Sequence, residues 1–164
     1  MRILSTKRTQ LREFVPADAD SLMAIFGDVA AMQFAPMEVT QDRSVAASAI
    51  EWHIENYRRF GYGAWAVIGR GEAFVGLAGL LPHDVGTELF FSIVPAFWGR
   101  GFATEVASGC RDYAFGRLGI QRLISIIHPD HPRAVAVARK IGMTEAGMIT
   151  FWNRENRLFE LKSA

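Results

Sequence analysis

The sequence predicts a mixed α/β fold on a central mixed sheet flanked by helices, and three features predict it. Three apolar strands in close succession, at residues 64–70, 73–81 and 87–94, read as an antiparallel meander. The last of them continues into a strand–helix–strand unit ending near residue 129. A further helix and a closing strand pair complete the pattern. At 164 residues, with 50% hydrophobic and 21% charged side chains, the chain is expected to form one domain, 1–164, with a sizeable core.

The elements follow in order. "TQLREFV" (9–15) has strand character, and Pro16 ends it. "ADADSLMAIFGD" carries Leu22, Met23, Ile25 and Phe26 at helical spacing, with Asp18 or Asp20 placed to cap it. Thr40 is expected to cap a longer helix through "SVAASAIEWHIENYRRF", with Val45, Ala49, Trp52 and His53 on its apolar face, and "GYG" breaks it. "AWAVIGR" and "AFVGLAGLL" meet at "GRGE", a hairpin signal, and "TELFFSIV" follows. Ala103, Ala107, Cys110, Ala114 and Leu118 mark the next helix, and Gly119 is its expected stop. "RLISIIHP" is a strand and "PRAVAVARKIG" a helix opened by Pro132. "AGMITFWN" and "RLFELK" pair at the end.

Composition narrows the function. A net charge of +1 without a basic cluster points away from nucleic acid. No apolar run is long enough to cross a membrane or serve as a signal peptide, so a cytoplasmic protein is expected. The lone Cys110 excludes an internal disulfide and a cysteine-based zinc site. His128 and His131 form H-x-x-H on a loop without supporting carboxylates, a poor metal site, and no metal is expected.

The segment "SIVPAFWGRGFATEVA" is the most informative. Packing alone asks for neither two glycines nor an arginine between a strand and a helix. The first N–H groups of a helix lack internal partners, and the helix dipole makes that end positive. Small residues at Gly99, Gly101 and Ala103 let a phosphate approach this backbone, and Arg100 adds a charge. Alone, such a turn is more often only a tight turn.

The surrounding text decides. "VPAFWGRGFATEV", followed by "YAFGRLGIQRLISIIHPDHPRAVAVARKIGMTEAG", closely resembles the GNAT superfamily of acetyl-CoA-dependent N-acetyltransferases. Within it, the similarity is to the RimJ/RimL-like ribosomal-protein N-acetyltransferases. The resemblance implies a sheet splayed between its fourth and fifth strands to admit the pantetheine arm. It implies backbone bonds to that arm from Ile93 and Val94, and phosphate contacts from Arg100, Gly101, Phe102, Ala103 and Thr104, with Trp98 and Gly99 in the same loop. The subgroup usually has Asn where His131 stands, touching coenzyme A, and His131 is expected to replace that contact. It usually has Ser at Ala134, and other branches a Tyr at Ala138, so the group that protonates the leaving thiolate is open.

The chemistry needs a neutral amine, an oxyanion donor and a route for one proton. Amines with pKa values of about 8 to about 10.4 need a base at neutral pH. Glu88, among Leu89, Phe90 and Phe91, is the candidate, since desolvation would raise its pKa; the alternative is an exposed carboxylate at a strand start. The Val94 N–H is the expected carbonyl polariser. His53 reads as a core-edge or surface residue, His83 as a turn residue and Cys110 as core. Phe60, Tyr62 and Trp65 belong to core packing or overhang the acceptor. "FWNRENR" reads as a solvated hairpin tip, with acceptor gating or a homodimer contact as alternatives.

Three classes compete: an acetyl-CoA-dependent N-acetyltransferase, a coenzyme A-binding sensor without turnover, and a dinucleotide oxidoreductase suggested by "GRGFAT". The last fails because Thr104 stands where G-x-G-x-x-G needs its final glycine. The acceptor, a protein N-terminus or a small-molecule amine, is left open.

Overall fold

The computed structural model describes residues 1–164. Eight strands form one mixed sheet: β1 (Arg2–Ser5), β2 (Gln10–Arg12), β3 (Ala64–Ile68), β4 (Phe74–His83), β5 (Gly86–Ile93), β6 (Arg122–Ile127), β7 (Thr144–Phe151) and β8 (Arg154–Lys162). Their order is β1-β2-β3-β4-β5-β6-β8-β7, and every neighbouring pair is antiparallel except β5 with β6. Four helices cover it: α1 (Ala19–Phe26), α2 (Arg43–Phe60), α3 (Phe102–Gly116) and α4 (Pro132–Lys140).

Side-chain alternation along β3 divides the core in two. Trp65 and Val67 join the cluster under α3 and α4, where Trp65 meets Tyr113 edge-on. Ala64 and Ala66 face α1 and α2 with Leu22, Ile25, Ala46 and Ile50. Cys110 is buried in the first cluster, as expected.

Several expectations need correction. β1 was not foreseen: only Ile3 and Leu4 are apolar in it, too few for a strand signal, and pairing with β2 makes it a strand. It shifts the strand count, so the expected splay lies between β5 and β6. Asp18 precedes α1 but does not cap it, because its carboxylate accepts from both Arg12 guanidinium nitrogens and from the Val15 N–H. The cap of α2 is Asp42, which accepts from the Ser44 N–H, while Thr40 accepts from Asp42. The buried face of α2 is Ala46, Ile50, His53 and Asn56, which leaves Trp52 50% exposed. α3 ends at Gly116, short of Leu118 and Gly119.

Candidate active site

The sheet opens where β5 and β6 part. They pair only at Thr87 with Leu123 and Glu88 with Ile124. Just beyond, Ser125 Oγ donates to the Leu89 carbonyl at 2.9 Å. On its other edge β5 stays bonded to β4, and the Val94 N–H donates to the Val75 carbonyl at 2.8 Å. Antiparallel ladders alternate, so residues two apart share an edge. Ser92 therefore turns its backbone to β4 like Val94, while Phe91 and Ile93 turn theirs to the gap. The Ile93 carbonyl accordingly accepts from Trp98 Nε1 at 2.7 Å. The expectation that Val94 would offer its N–H to a substrate fails for this reason; Phe91 and Ile93 have the N–H groups that face the opening.

Below the opening lies the glycine loop. Gly99 and Gly101 have φ of 74° and 79°, left-handed backbone that glycine adopts without strain. The first bond inside α3 is from Glu105 N–H to the Gly101 carbonyl at 3.1 Å, so the N–H groups of Phe102, Ala103 and Thr104 have no helical partner. Glu105 would repel an anion there, but it is turned away to Thr6 and Arg8, with Arg8 Nε at 2.7 Å. Open, donor-rich backbone at a positive helix end suits a pyrophosphate.

A cavity of about 300 Å³ joins loop and opening. Of the residues expected to hold a cofactor, it gathers Ile93, Trp98, Gly99, Gly101, Phe102, Ala103, Thr104 and His131. Val94 and Arg100 lie outside its lining; Arg100 is exposed, its guanidinium 5.5 Å from the Phe97 ring centre. Arg133 and Lys140 of α4 line the cavity and were missed. Arg133 lies 3.9 Å over the Trp98 ring. Their signal was two basic residues seven apart, two turns along one helix face.

A second cavity, about 610 Å³, adjoins it. Glu88 opens into it, 3% exposed, with Oε2 2.6 Å from His83 Nε2. Burial raises the Glu88 pKa above the usual carboxylate range, and the His83 bond opposes without cancelling it. The exposed-carboxylate reading of Glu88 is thereby excluded. His83 is no mere turn residue: it closes β4, lines the cavity and meets Phe151 edge-on. The two cavities share Ala31, Phe34, Phe91, Ser92, His131 and Ala134. His131 stacks on Phe34 with ring centres 4.4 Å apart, and its Nδ1 is buried without a partner. Burial, helped by Arg133 and His128, depresses its pKa to about 4, so the ring is neutral at pH 7.

The hairpin tip between β7 and β8 is also a correction. The tip is solvated in part, with Trp152 43% exposed and Asn153 and Glu155 exposed, but Phe151, Trp152 and Arg154 also line the second cavity. Trp152 and Asn153 form a two-residue turn with φ of 52° and 59°, which costs a tryptophan about 1–2 kcal/mol. Arg154 Nη2 donates to the Phe34 carbonyl at 3.0 Å and Nε to Asn156 Oδ1 at 2.8 Å. Trp52, turned out of the core, and His53 line the same cavity. Tyr62 donates to or accepts from Thr87 Oγ1 at 3.4 Å, and Trp65 is core. No helix is long and apolar enough to cross a membrane, and no group of three or more His, Cys, Asp or Glu is placed to hold a metal ion.

The model of one family, the acetyltransferase (GNAT) domain, matches residues 8–144. The chain belongs to the GNAT acetyltransferase family. It is an acyl-CoA-dependent acetyltransferase. YkkB of Bacillus subtilis is 28% identical over 166 residues, covering 98% of this chain and 95% of that one. An acetyltransferase from Agrobacterium tumefaciens superposes with a TM-score of 0.85 at 24% identity, covering 98% and 94% of the two chains. RimL, a ribosomal α-N-protein acetyltransferase solved with coenzyme A, superposes with a TM-score of 0.82 at 17% identity, covering 99% and 98%.

Proposed function

We propose that this GNAT domain moves an acetyl group from acetyl-CoA to a primary amine by direct attack in a ternary complex, as a RimJ/RimL-like N-acetyltransferase. One observation carries the reading: a cavity lined by free backbone donors meets an aromatic cavity at the β5–β6 opening, and the only carboxyl in either lining is Glu88. The RimL fold likeness supports the subgroup.

The donor set fits acetyl-CoA, which supplies the acetyl thioester when bound. Phe91 and Ile93 would hold the pantetheine arm through backbone groups. Trp98, Gly99, Gly101, Phe102, Ala103 and Thr104 would cradle the pyrophosphate, and Arg133 and Lys140 add positive charge. The Glu88–His83 pair takes the proton from the incoming ammonium. The N–H groups facing the gap stabilise negative charge developing on the carbonyl oxygen. Ser92 and His131 are the polar side chains common to both cavities, and one of the ring nitrogens of neutral His131 carries a hydrogen. Either can pass a proton to the departing thiolate, itself a tolerable leaving group near neutral pH.

Glu88→Gln tests the base. Turnover at pH 7 should fall about a hundredfold or more while acetyl-CoA still raises the melting temperature. The deficit should shrink at high pH, where amines deprotonate unaided, and the variant should be no less stable, because it removes a carboxyl that burial disfavours as an anion. An unchanged rate would remove Glu88 from the mechanism. A wild type that binds coenzyme A yet acetylates no amine would favour the sensor, which buried Ala134, lacking a hydroxyl, brings to mind.

A further inference from the structure

The second cavity has a chemistry more specific than an amine pocket needs. Phe26, Phe34, Trp52, Phe90, Phe151 and Trp152 wall it. Its only carboxyl, Glu88, is held by His83. Its only Lys or Arg is Arg154, whose bonds go to the Phe34 carbonyl and to Asn156 Oδ1, so no carboxylate neutralises it and Nη1 is left without a partner. A guanidinium with a nitrogen still free to donate is suited to a carboxylate. Arg154 directly follows the tip turn that holds Trp152 in left-handed backbone. Strain of this kind gathers where a side chain must be aimed.

We infer that the acceptor is a primary amine joined to a large apolar or aromatic body and a carboxylate, the chemistry of a free hydrophobic amino acid. This rests on the acetyl-transfer reading. The amine would meet Glu88 and His83, the body the aromatic walls, and the carboxylate Arg154. A polyamine fits badly: its remaining ammonium groups would face Arg154 and find no free carboxylate. A protein N-terminus fits badly for another reason. Its first carbonyl carries a peptide bond, so the guanidinium stays unpaired, and sites built for a polar partner reject analogues that lack it.

The test is a thiol-release assay with acetyl-CoA and five acceptors: phenylalanine, leucine, phenethylamine, spermidine and a seryl peptide. Phenylalanine should exceed phenethylamine, the same body without the carboxylate, by about tenfold or more in kcat/KM. Spermidine and the peptide should fall lower still. Arg154→Gln should collapse the phenylalanine-to-phenethylamine ratio toward one, a readout that general loosening of the hairpin tip would not produce. Spermidine or the peptide as best acceptor, or a ratio untouched by Arg154→Gln, overturns the acceptor class and leaves acetyl transfer standing. Absence of thiol release with every amine, while acetyl-CoA still raises the melting temperature, overturns both.

Discussion

The two cavities share the walls formed by Phe34, Phe91, Ser92 and His131, among others, but are built differently. On the coenzyme side the stretch Ile93–Thr104 would offer a ligand backbone donors and a helix end, with residues 30–34, Phe91, Ser92 and 131–140 completing the wall. The acceptor side has no such central stretch and is assembled from side chains on five segments: 25–37, α2, 77–92, 125–134 and 151–154. A backbone site constrains residue type, since it needs glycine at positive φ and small residues at the helix start. A side-chain site needs only that the topology bring its walls together, and such walls can carry almost any apolar residue.

The sharpest way to break this contrast is Gly101. At φ 79° a β-branched residue is strained, and Gly101 lines the coenzyme cavity beside the start of α3, so the added bulk would sit at that cavity's wall. Gly101→Val should weaken coenzyme A binding about a hundredfold by calorimetry. Gly101→Asn separates the two causes, because asparagine tolerates left-handed backbone and the nearest atom to a new Cβ is Arg8 Nη2 at 3.6 Å. It should fold with a near-normal melting temperature and still bind at least tenfold more weakly. Normal binding by a folded Gly101→Asn would show that the backbone cradle is not the phosphate site.

The same contrast explains what could be read from the sequence. Most elements and the open helix end after the glycine loop were legible, because periodicity and punctuation by glycine and proline are local. Burial of Glu88 followed from its apolar neighbours. Its partner His83 did not: the two meet across a hairpin whose register, Leu81 opposite Glu88 and His83 opposite Gly86, is a property of the fold. Val94 was misassigned because one residue of ladder phase decides whether an N–H faces β4 or the gap. Trp52 was placed in the core on hydrophobicity, but α2 buries the small Ala46 instead and turns Trp52 to the acceptor cavity. Phe151, Trp152 and Arg154 lie some sixty residues beyond Glu88, and only strand order brings them to it.

Acidification sharpens the comparison, because side chains titrate and backbone amides do not. His53, on the acceptor side, is buried against Phe14, and burial depresses its pKa to about 4. The unfolded chain would bind that proton near pH 6.5, so the folded state loses stability as pH falls from about 6.5 toward 4 and is unaffected above that window. The contribution is about 3 kcal/mol over the whole window, read from urea-unfolding stability measured against pH. His53→Gln should flatten that slope whatever it does to stability at pH 7. His131, depressed in the same direction, keeps part of the slope in the variant. An unchanged slope would mean that His53 is not the neutral, buried group that walls this side.

Arg100 carries the smallest expected effect and bears most directly on whether backbone or charge binds the phosphates. It looks like a phosphate ligand in the sequence, yet it is exposed, folded onto Phe97 and outside the cavity lining, whereas Arg133 lies inside. A solvent-exposed charge near a phosphate acts through screened attraction, with a Debye length of about 8 Å at physiological ionic strength. Arg100→Ala should therefore raise the coenzyme A dissociation constant only about two- to threefold at low salt. The difference from wild type should vanish near 0.5 M salt, since screening removes a diffuse attraction but not a set of directed N–H bonds. A loss above tenfold that persisted in high salt would mean that the guanidinium swings in to bond the phosphates directly. The coenzyme side would then depend on a side chain as the acceptor side does, and the contrast between the two cavities would fail at its simplest point.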